Sequence, residues 1–295
     1  MHRTSTKRQD TFFQHPRSMN CRGKLIEFSR PLVMGILNLT PDSFYDGGKY
    51  ADVQLVVERV KTMLVEGADI IDIGAMSSRP GATIISEEEE LERLLPVLEV
   101  LRKQFPKTVF SVDTFRSAVA RQAIKNGADI INDISAGTQD EQMFQAIADL
   151  QVPYIMMHMQ GTPETMQKNP EYNDVIKEIG TFFARQIEKL KTIGVNDIII
   201  DPGFGFGKNL DHNYQLLNEL EYFNMFELPV LVGFSRKSMI NKLLKIKPEN
   251  ALNGTTVLNV LALERGADII RVHDVKEAKQ AISIVEKLNN TRITD

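Results

Sequence analysis

The sequence predicts one α/β domain, a closed barrel of eight parallel strands alternating with eight helices. Three observations lead there. A phrase recurs: EGADIIDIG at 66–74, NGADIINDIS at 126–135, RGADIIRVHD at 265–274 and, more loosely, GVNDIIIDPG at 194–203. Each copy follows an amphipathic stretch, such as Val53 to Glu66, in which apolar residues recur at spacings of three and four. Glycine suits the position that ends a helix, where positive φ carries no Cβ penalty. The Ile-Ile pair then opens a short, nearly all-apolar run, as expected of a parallel strand buried on both faces.

Reading the whole chain in these units places strands near 33–38, 70–73, 108–112, 130–132, 154–157, 198–200, 229–232 and 269–271. Helical patterns fall between and after them at 51–66, 86–104, 116–126, 140–150, 172–193, 212–222, 251–265 and 275–288. Eight alternations without a linker favour a single (β/α)8 TIM barrel over residues 19–295. On periodicity alone, a doubly wound open sheet is the competing arrangement. Lys24 to Ser29 can add a short piece at the barrel bottom. Residues 1–18 carry four basic groups, one acid and no period, so a disordered basic tail or an upstream start is expected. They lack a secretory h-region and are only weakly amphipathic for a transit peptide.

Composition narrows the function classes. With 42% hydrophobic and 25% charged residues the chain reads as an ordinary globular protein. A formal charge of −4 supplies no field for nucleic acid or an anionic membrane. No apolar run approaches the roughly 20 residues of a bilayer span. The single cysteine, Cys21, excludes an intramolecular disulfide and fits a reducing compartment. Five scattered histidines and that cysteine give no zinc-type cluster.

In such barrels the site lies at the carboxyl ends of the strands. There the sequence places Asn38, the SSRPG segment after Gly74, Asp113, Asn132, His158, Asp201, Ser235-Arg236-Lys237, and Arg271 with His273. Any single Asp, Asn or Ser could simply cap the next helix. Eight polar strand ends are harder to assign to capping alone, and Arg and Lys repel the positive end of a helix. The residue types fall into two sets. Arg79, Arg271 and His273 suit phosphate oxygens, Arg through a bidentate fork. Asp113, Asn132, Asp201 and Lys237 suit the donors and acceptors of a flat heterocycle such as an amino-pyrimidinone edge. The pattern suggests a heterocycle carrying a phosphate-bearing arm.

Some motifs have plainer readings. DPGFGFGK at 201–208 has neither Walker nor GxGxxG spacing, so its glycines alone are a weak phosphate signal. Phe204 and Phe206 are equally consistent with filling the barrel rim. His158 reads as a packed or hydrogen-bonded core histidine, and Glu87 to Glu90 as a solvated helix start capped by Ser86.

Taken in order, MGILNLTPDSFYDGG, SSRPGA, SVDT, NDISAG, MHMQGTP, DPGFGFGKN, GFSRKSMI and RVHDV make the chain resemble the dihydropteroate synthases over residues 22–290. The resemblance implies condensation of 6-hydroxymethyl-7,8-dihydropterin pyrophosphate with p-aminobenzoate, releasing pyrophosphate and giving dihydropteroate for folate. It also implies Mg2+, sulfonamide binding, a cytoplasmic location and a homodimer, with no nucleic-acid or membrane partner. Carried onto this sequence, it implies pterin contacts from Asp113, Asn132, Ile134, Met157, Asp201 and Lys237. Diphosphate contacts fall to Asn38, Arg79, Arg271 and His273, and the metal to Asn38. Phe44, Ser78, Pro80, Phe206 and Ser238 surround p-aminobenzoate. Asp46, Lys237, Arg271 and His273 form the catalytic set. Asp46 rides a first loop that Gly47 and Gly48 free to close over the site, and that loop is expected to stand away from the pocket without ligand.

One stretch departs from the usual pattern: GAMSSRPGA stands where many relatives read GGESTRPGA, so Ala75, Met76 and Ser78 are substitutions. A methyltetrahydrofolate-type methyltransferase is the enzymatic rival, but it needs no diphosphate set of Asn38, Arg79, Arg271 and His273. A non-catalytic pterin-binding paralogue is the other, and it should lack Asp46, Lys237 or Arg271.

Overall fold

The structure, a computed structural model, describes residues 17–39, 49–76, 84–162, 165–166 and 169–291. β1 (Ser18–Cys21) and β2 (Lys24–Glu27) form an antiparallel hairpin. Then come β3 (Leu32–Asn38), α1 (Lys49–Glu66), β4 (Ile70–Gly74), α2 (Glu87–Gln104), β5 (Val109–Asp113), α3 (Ser117–Lys125), β6 (Ile130–Asp133) and α4 (Met143–Leu150). The second half holds β7 (Tyr154–Met157), α5 (Val175–Thr192), β8 (Ile198–Asp201), α6 (Leu210–Asn218), β9 (Leu231–Val232), α7 (Ser238–Leu244), α8 (Leu252–Leu263), β10 (Ile269–Val272) and α9 (Val275–Asn290). Strands β3 to β10 are all parallel and neighbour one another in sequence order, and the Ile200–Val230 bridge joins β8 to β9. That closure excludes the doubly wound open sheet.

The recurring phrase has a physical cause. Gly67, Gly127, Gly194 and Gly266 all sit at positive φ, where the chain leaves a helix. The Asp that follows turns sideways and caps a neighbouring strand. Asp69 Oδ2 accepts the Val33 N–H at 2.9 Å, while Asp129 Oδ2 and Asp268 Oδ2 accept those of Phe110 and Val230 at 2.8 Å. Asp197 Oδ1 accepts the Asn20 N–H of the hairpin at 3.1 Å. Each copy therefore ends a helix, starts a strand and ties the barrel bottom.

The short piece expected at Lys24–Ser29 is half of the β1–β2 hairpin, whose Met19 and Cys21 are buried on one face. Arg17 and Ser18, at the end of the basic stretch, are held there. Ser18 pairs with Glu27, and Arg17 donates to Leu228 O and Asp268 Oδ1. Helix α7, seven residues long, was missed because so short a segment carries no readable period.

Alternation along the strands divides the interior into three zones. Outward residues such as Ile71, Phe110, Ile131, Tyr154, Ile200 and Ile270 pack beneath the helices. Inward residues near the strand starts, including Met34, Ile70, Ile130, Ile155, Ile199, Leu231 and Ile269, meet Met19 and Cys21 and fill the bottom. Burial with Asp129 and Asp197 nearby pushes the Cys21 thiol up to about 12, so it acts as an apolar filler. A third cluster of Met76, Phe115, Ile134 and Met157, with Ile85, Met159 and Phe206 against it, stands apart from both. No described helix is long and apolar enough to cross a membrane.

Candidate active site

Alternation also decides which polar residues enter the barrel. Val109 joins the bottom filling while Phe110 and Val112 face the helices, so Ser111 and Asp113 point inward. The same step of two turns Asp72, Asn132, Asp201 and Arg271 inward, one layer above the apolar floor. Asn132 and Arg271 lie within their strands as expected, and Asp113 and Asp201 are the last residues of theirs rather than one past the end.

Arg271 organises this layer. Its Nε donates to Asp72 Oδ2 at 2.7 Å and its Nη2 to Asp113 Oδ2 at 3.1 Å. Burial works against the guanidinium charge, but Asp72 and Asp113 outweigh it and hold its pKa above the usual value. The Asn132 amide donates to the same Asp72 oxygen at 3.1 Å, which leaves the Asn132 carbonyl free to accept. Asp113 is pushed up to about 7, chiefly by burial, with Arg271 opposing and Asp72 reinforcing. Among the described residues Asp72 Oδ1 and Ser111 Oγ are buried without a hydrogen-bond partner. Such atoms cost about 1–3 kcal/mol each unless something polar meets them.

Sequence reasoning missed Asp72, though a signal was present. It stands two residues before Gly74 and therefore shares its inward face. The cause of the oversight was reading only the residues at strand ends. Arg271 was assigned to the phosphate set, yet in the structure it is bonded to a residue of the heterocycle set.

Opposite this triad lies the 201–208 loop. Gly203 and Gly207 have φ of 73° and 60°, and a Cβ on them would meet His158 O at 1.9 Å and Gln160 O at 2.5 Å. The glycines therefore serve a left-handed turn packed on neighbouring backbone, which explains their lack of phosphate-loop spacing. The turn aims the Phe204 carbonyl at Lys237 Nζ, 2.5 Å away, and holds the Phe206 ring 4.8 Å from the same nitrogen. Phe204 itself is fully buried against Phe234, whereas Phe206 joins the apolar rim with Ile134 and Met157. Burial lowers Lys237 to about 8 despite the nearby Asp201, with Arg271 adding to the lowering. Asp201 accepts the Gly203 N–H at 2.8 Å, and burial raises its pKa against the pull of Lys237.

The remaining residues edge the pocket. Asn38 ends β3 in register with Gly74, and its Oδ1 lies 3.7 Å from where a Gly74 Cβ would stand, with Asp113 Oδ2 at 3.8 Å. His273 follows β10. Its backbone N–H donates to Ser235 Oγ at 3.2 Å, and Ser235 Oγ lies 2.9 Å from His273 Nδ1. The serine hydroxyl has a second lone pair and a proton of its own, so it serves either tautomer of the imidazole while it fixes the ring's orientation. Ser238 opens α7 and is exposed, while Arg236 turns away to pair with Asp274 at 2.7 Å. His158 is buried, edge-on to Phe182 and beside Lys208, as expected of a core histidine. Ser86 does cap α2, accepting the Glu89 N–H. Glu90, however, is buried and paired with Arg116, so only part of that acidic run is solvated. Phe44, Asp46, Gly47, Gly48, Ser78, Arg79 and Pro80 lie outside the described residues, as does the expected position of the first loop.

The profile of the family described as pterin binding enzyme matches residues 34–273. The chain is 47% identical to a dihydropteroate synthase of Escherichia coli (strain K12) over 267 residues, covering 90% of this chain and 94% of that one. Among solved structures, a Yersinia pestis dihydropteroate synthase with a sulfonamide drug complex superposes with a TM-score of 0.87. It is 46% identical, and the match covers 93% of this chain and all of that one (100%). A Xanthomonas albilineans dihydropteroate synthase with 4-aminobenzoic acid also gives 0.87, at 40% identity over 95% of this chain and 100% of that chain.

Proposed function

The chain belongs to the pterin-binding enzyme family and, within it, to the dihydropteroate synthases, and from that membership we propose how its own residues perform the condensation in folate biosynthesis. The observation that carries the reading is the single polar layer of Asp72, Asp113, Asn132, Asp201, Lys237 and Arg271 between an apolar floor and an apolar rim. Asp113 and Asp201 accept N–H bonds from the pterin edge, the Asn132 carbonyl accepts another, and the Lys237 ammonium donates to a ring acceptor. Ile134 and Met157 pack against the ring face. Arg271, His273, Asn38 and Arg79 bind the diphosphate. Phe44, Ser78, Pro80, Phe206 and Ser238 surround p-aminobenzoate, and Asp46 stabilises the cationic methylene carbon.

The chemistry suits these roles. A dihydropterin can carry positive charge at its exocyclic carbon, so the C–O bond to pyrophosphate breaks ahead of amine attack. The arylamine is neutral near pH 7 and needs no strong base, so catalysis rests on placed charges. Mg2+ fits the donor set. Asn38 offers one neutral carbonyl oxygen at the strand end beside Gly74, and no described group of three or more His, Cys, Asp or Glu could hold a metal ion. A magnesium ion that keeps water and phosphate oxygens matches a single protein ligand. When bound, it would neutralise charge on the departing pyrophosphate.

Mixing the protein with the pterin pyrophosphate, p-aminobenzoate and Mg2+ is expected to release pyrophosphate, with sulfonamides competing against p-aminobenzoate. A folded protein that releases none overturns the assignment. The diphosphate set supports this reaction over methyl transfer. A cytoplasmic homodimer is part of the same reading. Leu252, Val257 and Leu261 are exposed on α8, as are Leu243 and Leu244 on α7, which supports a second copy covering that side. Sedimentation should give twice the chain mass, and a monomer at micromolar concentration would refute the pairing.

A further inference from the structure

A buried lysine that the reaction scheme does not use stands behind the Asp201–Lys237 face. Lys208 closes the 201–208 loop and is 2% exposed. Its Nζ donates to Gly203 O and Phe206 O, each at 2.9 Å, and lies 3.1 Å from His158 Nδ1 and 3.4 Å from His158 O. When Lys208 is an ammonium it only donates, and in that state Nδ1 accepts and the proton of a neutral His158 sits on Nε2. Burial, and then the lysine's own charge, hold the imidazole well below its usual range.

A buried cation is costly, and an apolar side chain of similar length would fill this space more cheaply. Two features give the charge a use. The carbonyls it ties, those of Gly203 and Phe206, bracket Phe204, whose own carbonyl receives Lys237. Lys208 and Asp201 also hold the same residue, Lys208 donating to Gly203 O and Asp201 Oδ1 accepting the Gly203 N–H at 2.8 Å, and the Lys208 charge works with those of Lys237 and Arg271 to favour the Asp201 carboxylate. Burial pushes Lys208 down to about 7, with Asp201 opposing the shift and Lys237 adding to it, so the groups act on one another.

We propose that Lys208 is a positioning residue for pterin binding: it folds the 203–206 turn onto Lys237 and supplies a second lysine cation at the other side of Gly203 from the Asp201 carboxylate. The proposal rests on the assignment of Asp201 and Lys237 to the pterin edge. Removing that cation makes Asp201 easier to protonate, so the acid limb of kcat/KM for the pterin substrate moves to higher pH.

The test compares wild type, Lys208→Met and Lys208→Arg in steady state and in direct pterin binding across pH about 5 to 9. Lys208→Met is expected to raise KM for the pterin pyrophosphate about tenfold and to leave that for p-aminobenzoate within about twofold. Its acid limb should move up by about one pH unit. Lys208→Arg, which stays charged throughout, should keep the wild-type limb. Where Lys208→Met is too unstable to assay, Lys208→Gln keeps a donor without the charge and gives the same readout. A lower Tm with an unmoved acid limb, or an unchanged pterin KM, overturns the proposal. A folded wild type that neither binds the pterin nor turns over would instead refute the site assignment beneath it.

Discussion

An Arg271→Ala variant is expected to lose about 3–5 kcal/mol of stability near neutral pH, and with it nearly all pterin binding. Asp72 is fully buried and Asp113 nearly so, and Arg271 is the cation bonded to both. With that side chain 20% exposed, water screens the interaction only weakly. Removing it leaves two carboxylates as diagonal neighbours on the adjacent strands β4 and β5. The pH dependence gives the test its sign. Burial already lifts Asp113 to about 7, and the variant loses the charge that opposes the lift. A carboxyl whose folded pKa exceeds its unfolded value takes up protons in the folded state, so stability falls as pH rises through that window. The deficit of Arg271→Ala should therefore be largest above pH about 8 and shrink toward pH about 5. Urea unfolding at the two pH values reads it, and adding Asp72→Asn should restore part of the loss at high pH. Equal unfolding of wild type and variant at both values would refute the triad. A variant that instead bound pterin normally, while losing affinity for pyrophosphate alone, would return Arg271 to a purely diphosphate role.

The barrel was legible because its bottom is written in a local code. The Gly-Ala-Asp-Ile-Ile phrase contains the helix stop, the strand start and the carboxylate that caps a neighbouring strand, all within five residues. Closure itself could be inferred only from the number of repeats, since the Ile200–Val230 bridge is a long-range pairing. The same limit hid the hairpin. Met19 and Cys21 alternate over too few residues to show a period, and what buries them is an apolar floor assembled from distant strands.

At the site, residue types were legible and partnerships were not. Asp113, Asn132, Asp201, Lys237 and Arg271 stood out as polar groups at strand ends. Which of them touch depends on the tilt and register of β4, β5, β6 and β10, which no local pattern encodes. Asp72 shows the cost of reading only ends, since it lies inside an apolar run and was taken as part of a strand. The 201–208 loop shows the converse. Its glycines were a weak phosphate signal by spacing, and their actual use is packing, since a Cβ on Gly203 would collide with the His158 carbonyl. Met76, noted only as a substitution, proves to be buried with Phe115, Ile134 and Met157 and so contributes to the apolar rim.

Lys237→Ala should affect function far more than folding, in contrast to Arg271→Ala. The ammonium is held by the Phe204 carbonyl and the Phe206 ring, and burial works against its charge, so deleting it removes a cost along with the contacts. Tm is expected to move by no more than a few degrees, since about 1 kcal/mol corresponds to a shift of that size in a domain this large. A hydrogen bond from a charged donor contributes about 1.5–3 kcal/mol. KM for the pterin pyrophosphate should accordingly rise by roughly ten- to a hundredfold. Because Lys237 is lowered to about 8, the wild-type enzyme should lose pterin affinity as pH passes that value and the ammonium gives up its proton. Lys237→Ala lacks that group, so its pterin affinity should be low and should lose the fall above pH about 8, while p-aminobenzoate affinity keeps its wild-type pH dependence. Persistence of the alkaline limb in the variant would assign that limb to another group, and an unchanged pterin KM would remove Lys237 from the ring edge.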